Sequence, residues 1–353
     1  MALTGRAEAK PDLCDMKLLH TARSLVAAIL AMATLHAGAQ TARDMTDKTN
    51  PLLCDPDTGI CAVPGGKQAS TTAFKESKDF KPVAKPVTIQ YFTDPICSSC
   101  WGTEPQLRRL QLQYGDAIDI QVHMGGLVPS WEGFNGGGIT KPSDVAGHWD
   151  EVSPHYRMPI IGDVWLEDPL PSSYPPSIAY KAAELQDHAK AAVFLRRLRE
   201  QVMTEKKNIT KWTVVAEAAT FAGLDTARLK ADYDGAANAL FQADLTLARS
   251  LGVRGFPTFI LTNAEGGRQV VYGSRPYAQF EAAVKALAPE AEAAALPSTL
   301  EELFRLHPSW CAQEMAVVLD LKHEEVLAKL KQAEAKGVIT AVHTRNGSVW
   351  HRK

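Results

Sequence analysis

The chain has 353 residues, of which 45% are apolar and 22% charged, and its formal net charge at pH 7 is −2. This balance is that of an ordinary folded protein, and it excludes a disordered tail and a protein that binds nucleic acid through bulk positive charge. Six cysteines are too few for a disulfide-dense secreted scaffold of this length. No apolar run reaches the roughly 18 to 20 residues that a membrane-spanning helix needs, and the length predicts a large domain with a smaller companion.

Residues 1–44 are predicted to be a signal-like or dispensable segment. Within them, 17–39 has a positive start, the apolar run "SLVAAILAMATL" and a small-residue cleavage site before Gln40. On this pattern alone the sequence slightly favours export. The alternative is that translation begins at Met45 and that the preceding residues are an extension.

Residues 45–85 are predicted to be a linker, because Pro, Gly, Ser, Thr and Lys are mixed there with little periodicity. The linker contains a second thiol pair, Cys54 and Cys61, in "CDPDTGIC", where a Pro-Asp-Thr-Gly turn can bring the two thiols together. Three interpretations stay open: a local disulfide in an exported protein, a reduced pair or shared zinc in a reducing cell, and an inert loop.

A main domain is predicted over 86–290. Its first part has strand composition at 87–92, apolar residues at helical spacing over 104–114, and a second strand-like run at 118–124. Strands joined by a helix-length crossover pair in parallel, with the helix on one face of the sheet. The sequence therefore predicts an α/β fold.

Residues 125–176 are rich in Gly, Pro and Trp and are predicted to be a long loop that acts as a lid or groove wall. Four of its side chains, those of His148, Trp149, His155 and Trp165, could frame a channel. Their spacing does not match a metal site, so we expect them to be packing residues and not catalytic ones.

A helical insert is predicted at about 177–252, with Gly252 at a C-terminal stop. Two strands then follow at 259–261 and 270–272, around the turn "NAEGGR", and a helix covers 276–287. These elements complete a layer of sheet and helices that the insert interrupts.

Residues 297–353 form a separate pattern of three helices and a hairpin around Asn346-Gly347, which resembles a winged helix-turn-helix. The segment carries eight Lys plus Arg and seven Asp plus Glu, and its recognition-like helix opens with Glu324-Glu325. Because phosphate neutralisation supplies most non-specific affinity, DNA binding is disfavoured. We expect protein docking or dimerisation instead.

Cys97 and Cys100 form a C-x-x-C pair in "FTDPICSSCW", where a strand ends and a helix begins. Such a pair serves zinc sites as well as redox sites, but a zinc site needs two more ligands, and only Cys54 and Cys61 offer them. At the start of a helix, unpaired amides and the helix dipole are expected to lower the pKa of an accessible Cys97, with Cys100 one turn away as the resolving thiol.

The strand, "FTDPICSSCW", the helical insert and "GVRGFPTF" together resemble the DsbA-type thioredoxin-fold family, in the branch of FrnE-like oxidoreductases and SpxH-type adaptors of the ClpXP protease. The resemblance implies a thioredoxin-like α/β fold with a helical insertion, to which a small winged-helix-like α+β domain is added. It also implies that Pro257 is cis and faces the cysteines. The surface that contacts substrate would then be formed by Trp101, Gly255, Phe256 and Pro257.

The function that this resemblance implies is thiol-disulfide exchange on protein cysteines, with no cofactor and no metal. The alternative is a non-catalytic protease adaptor or redox-sensing scaffold, while glutathione-dependent isomerase chemistry is disfavoured because related folds use a serine at the position of Cys97. The dipeptide Ser98-Ser99 lacks the histidine of the strongest oxidants, so the direction of exchange stays open. The expected substrates are the thiols or disulfides of other proteins. The expected source or acceptor of electrons is a redox partner protein or the glutathione pool, and no binding to a membrane is expected. Because the family branch is largely cytoplasmic, the cytoplasm is narrowly favoured over the periplasm.

Overall fold

The structure is a computed structural model that describes residues 85–134 and 139–353, together with the backbone of 54–55 and 60–62. The signal-like segment and most of the predicted linker lie outside the described residues. The strands, numbered in chain order, are β1 (Cys54–Asp55), β2 (Ile60–Ala62), β3 (Val87–Thr93), β4 (Ile118–Met124), β5 (Gly255–Phe256), β6 (Thr258–Asn263), β7 (Arg268–Tyr272), β8 (Ser309–Cys311), β9 (Ile339–Thr344) and β10 (Gly347–Arg352).

The helices are numbered in the same way. They are α1 (Ser98–Tyr114), α2 (Ser143–Tyr156), α3 (Val164–Glu167), α4 (Tyr174–Glu184), α5 (His188–Thr204), α6 (Trp212–Phe221), α7 (Thr226–Asp234), α8 (Ala237–Ser250), α9 (Tyr277–Leu287), α10 (Leu300–Leu306), α11 (Ala312–Leu319) and α12 (His323–Ala335).

The main sheet has four strands in the order β4-β3-β6-β7. β3 and β4 are parallel, as expected for strands joined by the crossover helix α1, whereas β3 pairs antiparallel with β6 and β6 with β7. The predicted β-α-β unit and the α/β class are therefore confirmed. The sheet and its helices form a thioredoxin-like fold.

One face of this sheet is covered by α1 and α9. The apolar residues that predicted α1, namely Leu107, Leu110 and Tyr114, are all buried there against strand residues such as Phe259. The ring of Phe259 stacks on Tyr91 with centroids 4.5 Å apart. Helical spacing in the sequence thus identified the face of α1 that packs on the sheet.

The helical insertion runs from α4 to α8. Asp187 and Asp225 cap α5 and α7 with side-chain oxygens that accept backbone N–H groups from the first turn. Gly252 follows α8 with a φ of 71°, a left-handed conformation that glycine adopts without a steric penalty. The stop predicted at Gly252 is therefore where the insertion ends.

The long loop predicted over 125–176 is wrong in its middle, because α2 occupies that stretch. Gly147 and Pro154 lower the helix propensity of α2 and obscured the pattern. The buried residues of α2 are nevertheless spaced at the helical period, and they include Ala146, Trp149 and Tyr156. Packing against the core thus overrides weak local preference.

The C-terminal elements follow the order helix, strand, helix, helix, strand, strand, and their sheet has the order β8-β10-β9. A capping box formed by Thr299 and Glu302 opens α10, as the sequence predicts. Trp310 and Trp350 are buried in the core of these elements. This arrangement is compatible with the predicted winged-helix-like domain, while the boundaries of 86–290 and 297–353 stay predictions.

Candidate functional site

Cys97 is the N-terminal capping residue of α1. Its backbone is extended, with φ −76° and ψ 111°, and its Sγ accepts a hydrogen bond of 3.1 Å from the backbone N–H of Cys100. The sulfur thus takes the place of the hydroxyl or carboxylate oxygen that caps most helices. Both cysteines are fully buried.

The segment between β3 and α1 is held by a residue that the sequence analysis missed, Asp94. One carboxylate oxygen accepts the N–H of Ile96 at 3.0 Å, while the other accepts the N–H of Leu127 at 2.7 Å and the hydroxyl of Ser173 at 2.8 Å. Burial raises the pKa of Asp94 to about 6 in spite of these hydrogen bonds. The position of Asp94, directly after a strand and before the C-x-x-C pair, was the signal that could have identified it.

Ser99, inside the C-x-x-C pair, contacts α2. Its hydroxyl lies 2.7 Å from the hydroxyl of Tyr156, and a Cβ atom on Gly102 would lie 2.3 Å from the ring of Tyr156. The absence of a side chain at Gly102 therefore lets the Tyr156 ring pack against the first turns of α1. The segment predicted to be a lid therefore packs, through Tyr156 of α2, against the first turns of the helix that carries the cysteines.

Trp101 lies inside the protein. Its side chain is fully buried, its indole N–H donates to the carbonyl oxygen of Pro159 at 3.1 Å, and the guanidinium carbon of Arg196 is 4.2 Å from its ring centroid. This is the environment of a core aromatic residue with a cation–π partner. The predicted contact between Trp101 and substrate stays a prediction.

Gly255, Phe256 and Pro257 lie at the end of β3, where α1 starts. Thr258 pairs with Phe92, so the residues before Thr258 extend beyond β3 towards the segment that leads to Cys97. The peptide bond between Phe256 and Pro257 is cis.

The ring of Phe256 packs against the backbone at Gly125, where a Cβ atom would lie 1.7 Å from it. Phe256 and Cys97 both belong to the large buried apolar cluster of the main domain. That Pro257 faces the cysteines stays a prediction.

Cys54 and Cys61 lie in β1 and β2, of which the structure describes the backbone. They are opposite each other in the antiparallel pair, and Cys61 is in turn opposite Phe256 in β5. The linker therefore reaches the same region of the fold. Whether this pair is a disulfide, a zinc ligand pair or an inert loop stays a prediction.

The pKa of Cys97 is shifted in the direction opposite to the one that the sequence predicts. Burial raises the pKa of Cys97 well above its ordinary value and outweighs the hydrogen bond from the Cys100 N–H. Burial opposes the thiolate of Cys100 as well, but the hydrogen bond from the Cys97 thiol and the positive charge of Arg199 hold the pKa of Cys100 below its ordinary value. The prediction of an accessible Cys97 with a lowered pKa is wrong for this structure, because the sulfur at the helix start is enclosed.

Arg199 comes from α5 in the insertion, far from the cysteines in sequence. It is fully buried, forms an ion pair with Glu104 in α1, and donates to the hydroxyl of Thr93 at 2.6 Å. No sequence pattern signalled this role, because a buried arginine in a helix is recognised only by the partners that tertiary packing gives it.

A second group of buried charges joins α1 and α5 to the C-terminal elements. The carboxylate of Glu314 lies 3.1 Å from Arg108 Nε and 2.6 Å from Arg196 Nη1. Arg108 also donates to the carbonyl oxygen of Ser309 at 2.8 Å. The C-terminal elements therefore contact the same helix that carries the cysteines.

Three of the four histidines and tryptophans expected to pack in the predicted loop are buried, whereas His155 is exposed and its ring meets Tyr156 edge-on, with centroids 4.8 Å apart. His148 and Trp149 are buried in α2, and burial lowers the pKa of His148 to about 4. Trp165 packs edge-to-face on Trp149 with centroids 5.3 Å apart. Within 85–134 and 139–353, no three His, Cys, Asp or Glu side chains are grouped as metal ligands, and no helix has the length and hydrophobicity of a membrane span.

Comparison with known proteins places these features in a family. A family model described as thioredoxin matches residues 91–282. The ClpXP adapter protein SpxH of Halalkalibacterium halodurans is 34% identical over 315 residues, which cover 87% of this chain and 99% of that protein. SpxH of Bacillus subtilis is 30% identical over 274 residues, which cover 75% of this chain and 89% of that protein.

A solved structure, the cytosolic disulfide reductase DsbM of Pseudomonas aeruginosa, is 27% identical, with a TM-score of 0.44 over 57% of this chain and 98% of that chain. The family match covers the four strands of the main sheet from Tyr91 onwards and the helix that carries the C-x-x-C pair. This chain belongs to the thioredoxin family, in the branch of its SpxH relatives.

Proposed function

We propose that the protein exchanges disulfides with the cysteines of other proteins through Cys97 and Cys100. The observation that carries the proposal is the capping geometry, in which the Cys97 sulfur accepts the N–H of Cys100 one helical turn away. Two cysteines at this spacing close a disulfide with little backbone movement. The neighbouring β5 supports the proposal, because β2 pairs with it as an extended segment, and an extended substrate segment can pair with a strand edge in the same way.

The exchange proceeds in two displacements. The Cys97 thiolate attacks one sulfur of a substrate disulfide, the substrate S–S bond breaks, and a mixed disulfide forms while the other substrate sulfur leaves as a thiolate. Cys100 then attacks the Cys97 sulfur, which releases the substrate and leaves the Cys97–Cys100 disulfide. A redox partner protein or the glutathione pool reduces that disulfide, and the reverse sequence oxidises a substrate dithiol.

Arg199 favours the second displacement. Its positive charge lowers the pKa of the enclosed Cys100 thiol and so stabilises the thiolate that attacks the Cys97 sulfur. The first displacement needs Cys97 to become exposed, because burial raises its pKa. Contact with a protein substrate is therefore part of the proposed cycle.

Replacement of each cysteine tests the proposal. Cys97→Ser should reduce insulin or scrambled-protein turnover to background, because the attacking sulfur is lost, whereas Cys100→Ser should accumulate mixed disulfides that are visible on non-reducing gels. Cys311→Ser is the matched control, since Cys311 is also fully buried but lies outside the C-x-x-C pair. Normal turnover by Cys97→Ser would refute the proposal.

A second candidate function is that of a protein adapter, which the names of the SpxH relatives favour. In that case the fold holds a client, the cysteines tune binding, and the C-terminal elements dock a protein or a second copy. Capture of a client by the double variant Cys97→Ser/Cys100→Ser, at the wild-type level, would favour the adapter over the enzyme.

A further inference from the structure

The backbone of β2 occupies the edge of β5. The two strands are antiparallel, with Cys61 opposite Phe256 and Ala62 opposite Gly255, and they belong to a small sheet of the order β1-β2-β5. An extended segment that adds to a strand edge in this way is the usual mode by which a sheet binds a peptide. A segment of the chain itself therefore lies where the proposed function places substrate.

This edge is next to the start of α1. β6 begins at Thr258 opposite Phe92, so β5 lies beyond the end of β3, beside the segment that leads to Cys97. Cα atoms of β2 and α1 also approach each other within 8 Å. Both observations place the backbone of Cys61 beside the helix that Cys97 caps.

Cys54 lies directly opposite Cys61 in the β1-β2 pair. Residues opposite each other in an antiparallel pair have Cα atoms roughly 4.5 to 5.5 Å apart. Disulfides span Cα separations of about 4.4 to 6.8 Å. The register therefore allows these two cysteines to close a disulfide without rearrangement of the strands.

We infer that Cys54 and Cys61 are a second redox pair that exchanges its disulfide with Cys97 and Cys100 inside one chain, because β2 sets Cys61 opposite Phe256 beside the helix that Cys97 caps. This inference rests on the proposed function and adds to it an internal partner. Tethering gives a neighbouring thiol an effective concentration on the order of millimolar. A thiol on β2 is thus favoured over one that arrives from solution.

Exchange of the disulfide between the two cysteine pairs needs no other oxidant or reductant. The Cys61 thiolate attacks the Cys97 sulfur of the Cys97–Cys100 disulfide, that S–S bond breaks, a Cys61–Cys97 bond forms, and Cys100 leaves as a thiolate. Cys54 then attacks the Cys61 sulfur, the Cys61–Cys97 bond breaks, and Cys97 leaves as a thiolate. Two electrons and two protons pass from Cys54 and Cys61 to Cys97 and Cys100, and the reverse steps run the transfer backwards.

The intermediate can be trapped in the full chain. In a background with Cys14→Ser and Cys311→Ser, the further changes Cys54→Ser and Cys100→Ser leave Cys61 and Cys97 as the cysteines. On addition of oxidised glutathione, non-reducing peptide mapping by mass spectrometry should find a Cys61–Cys97 disulfide. Its half-time should be unchanged when the protein is diluted tenfold, because the reaction is intramolecular.

A shifted cysteine is the matched control. Cys61→Ser with Ala62→Cys, in the same background, moves the thiol one residue along β2 to the opposite face of the strand, and the link should form at least tenfold more slowly. Equal rates in the two variants, or a rate that falls with dilution, would overturn the inference. If the link fails to form while Cys97 still turns over insulin in the wild-type chain, the inference is overturned and the proposed function stands.

A second measurement does not depend on the trapping variants. When the wild-type chain is exposed to oxidised glutathione, oxidation of Cys54 and Cys61 should slow at least tenfold on Cys97→Ser and should stay unchanged on Cys311→Ser. An unchanged rate in Cys97→Ser shows that the pair is oxidised directly from solution and overturns the inference. Failure of Cys97 to react with glutathione, insulin and Cys61 alike would overturn both the inference and the proposed function.

Discussion

At the scale of single residues, Asp94 links the fold to the cysteines. Its carboxylate holds the N–H groups of Ile96 and Leu127 and the hydroxyl of Ser173, so the segment before Cys97 has a fixed path. The side chain is fully buried, and burial raises its pKa to about 6. A group whose pKa is raised on folding stabilises the folded state below its unfolded pKa, and this contribution is lost as the pH rises through the folded value.

We therefore expect the free energy of unfolding of the wild-type protein, measured against Asp94→Asn, to decrease between pH 4 and pH 7 by about 2–3 kcal/mol. The asparagine variant should be less stable at every pH, because its amide N–H₂ faces hydrogen-bond donors, but it lacks this titration. Urea denaturation across the pH range measures both effects. Parallel profiles for the two proteins would contradict the assignment.

Asp144 offers a control of opposite sign. Its exposed carboxylate accepts the N–H groups of Thr140 and Lys141, and these hydrogen bonds lower its pKa. Its contribution to stability is present above the unfolded pKa and is lost as the pH falls. Asp144→Asn should thus change the profile at the acidic end of the range and leave the decrease between pH 4 and pH 7 in place.

At the scale of elements, the contact between α1 and α2 depends on Gly102. A methyl group there would lie 2.3 Å from the Tyr156 ring, so Gly102→Ala should destabilise the protein by about 1–3 kcal/mol through overpacking. Chemical denaturation measures the loss. The variant should also displace the hydroxyl of Tyr156 from Ser99, and a changed rate of thiol alkylation at Cys97 would report that displacement.

Gly147 is the matched control for this change. It lies in α2, and a Cβ atom there would have no neighbour within 4 Å. Gly147→Ala should leave the protein equally stable or stabilise it by up to about 1 kcal/mol, because alanine favours the helix. Equal losses at Gly102 and Gly147 would show that general backbone effects, and not the Tyr156 ring, decide the result.

The sequence predicted those elements whose position is specified by neighbouring residues, and it missed those that depend on contacts between distant parts of the chain. The strands and α1 were predicted because apolar spacing in a short window specifies which face is buried. α2 was missed because Gly147 and Pro154 weaken the local preference, and its stability comes from tertiary contacts. The site followed the same division: Cys97, Cys100 and Pro257 are recognisable in short motifs, whereas the burial of Cys97 and the approach of Arg199 arise only when distant helices pack.

At the scale of the whole molecule, Glu314 joins the C-terminal elements to the helix of the cysteines. It is fully buried between Arg108 and Arg196, and removal of one partner from a buried ion pair leaves an uncompensated charge. Glu314→Gln should therefore destabilise the protein by about 3–5 kcal/mol. It should also weaken the stacking of Arg196 on Trp101, which tryptophan fluorescence measures.

A surface pair is the control for this effect. Arg305 and Glu301 form an ion pair with side chains that are 65% and 77% exposed. Arg305→Met should change the free energy of unfolding by less than about 1 kcal/mol. If Glu314→Gln and Arg305→Met had equally small effects, the C-terminal elements would not depend on Glu314 for their attachment.

The shared ion pairs also impose an order of events during protein synthesis. Arg108 and Arg196 leave the ribosome before Glu314, so Arg108 lacks the Glu314 carboxylate and Arg196 is paired with Glu200 and Glu104 alone while the rest of the thioredoxin fold is already available. We therefore expect the helix that carries the two cysteines to reach its final packing only after Glu314 has been made. A nascent chain stalled before that residue would present these cysteines to the cell in a looser setting than the finished protein does.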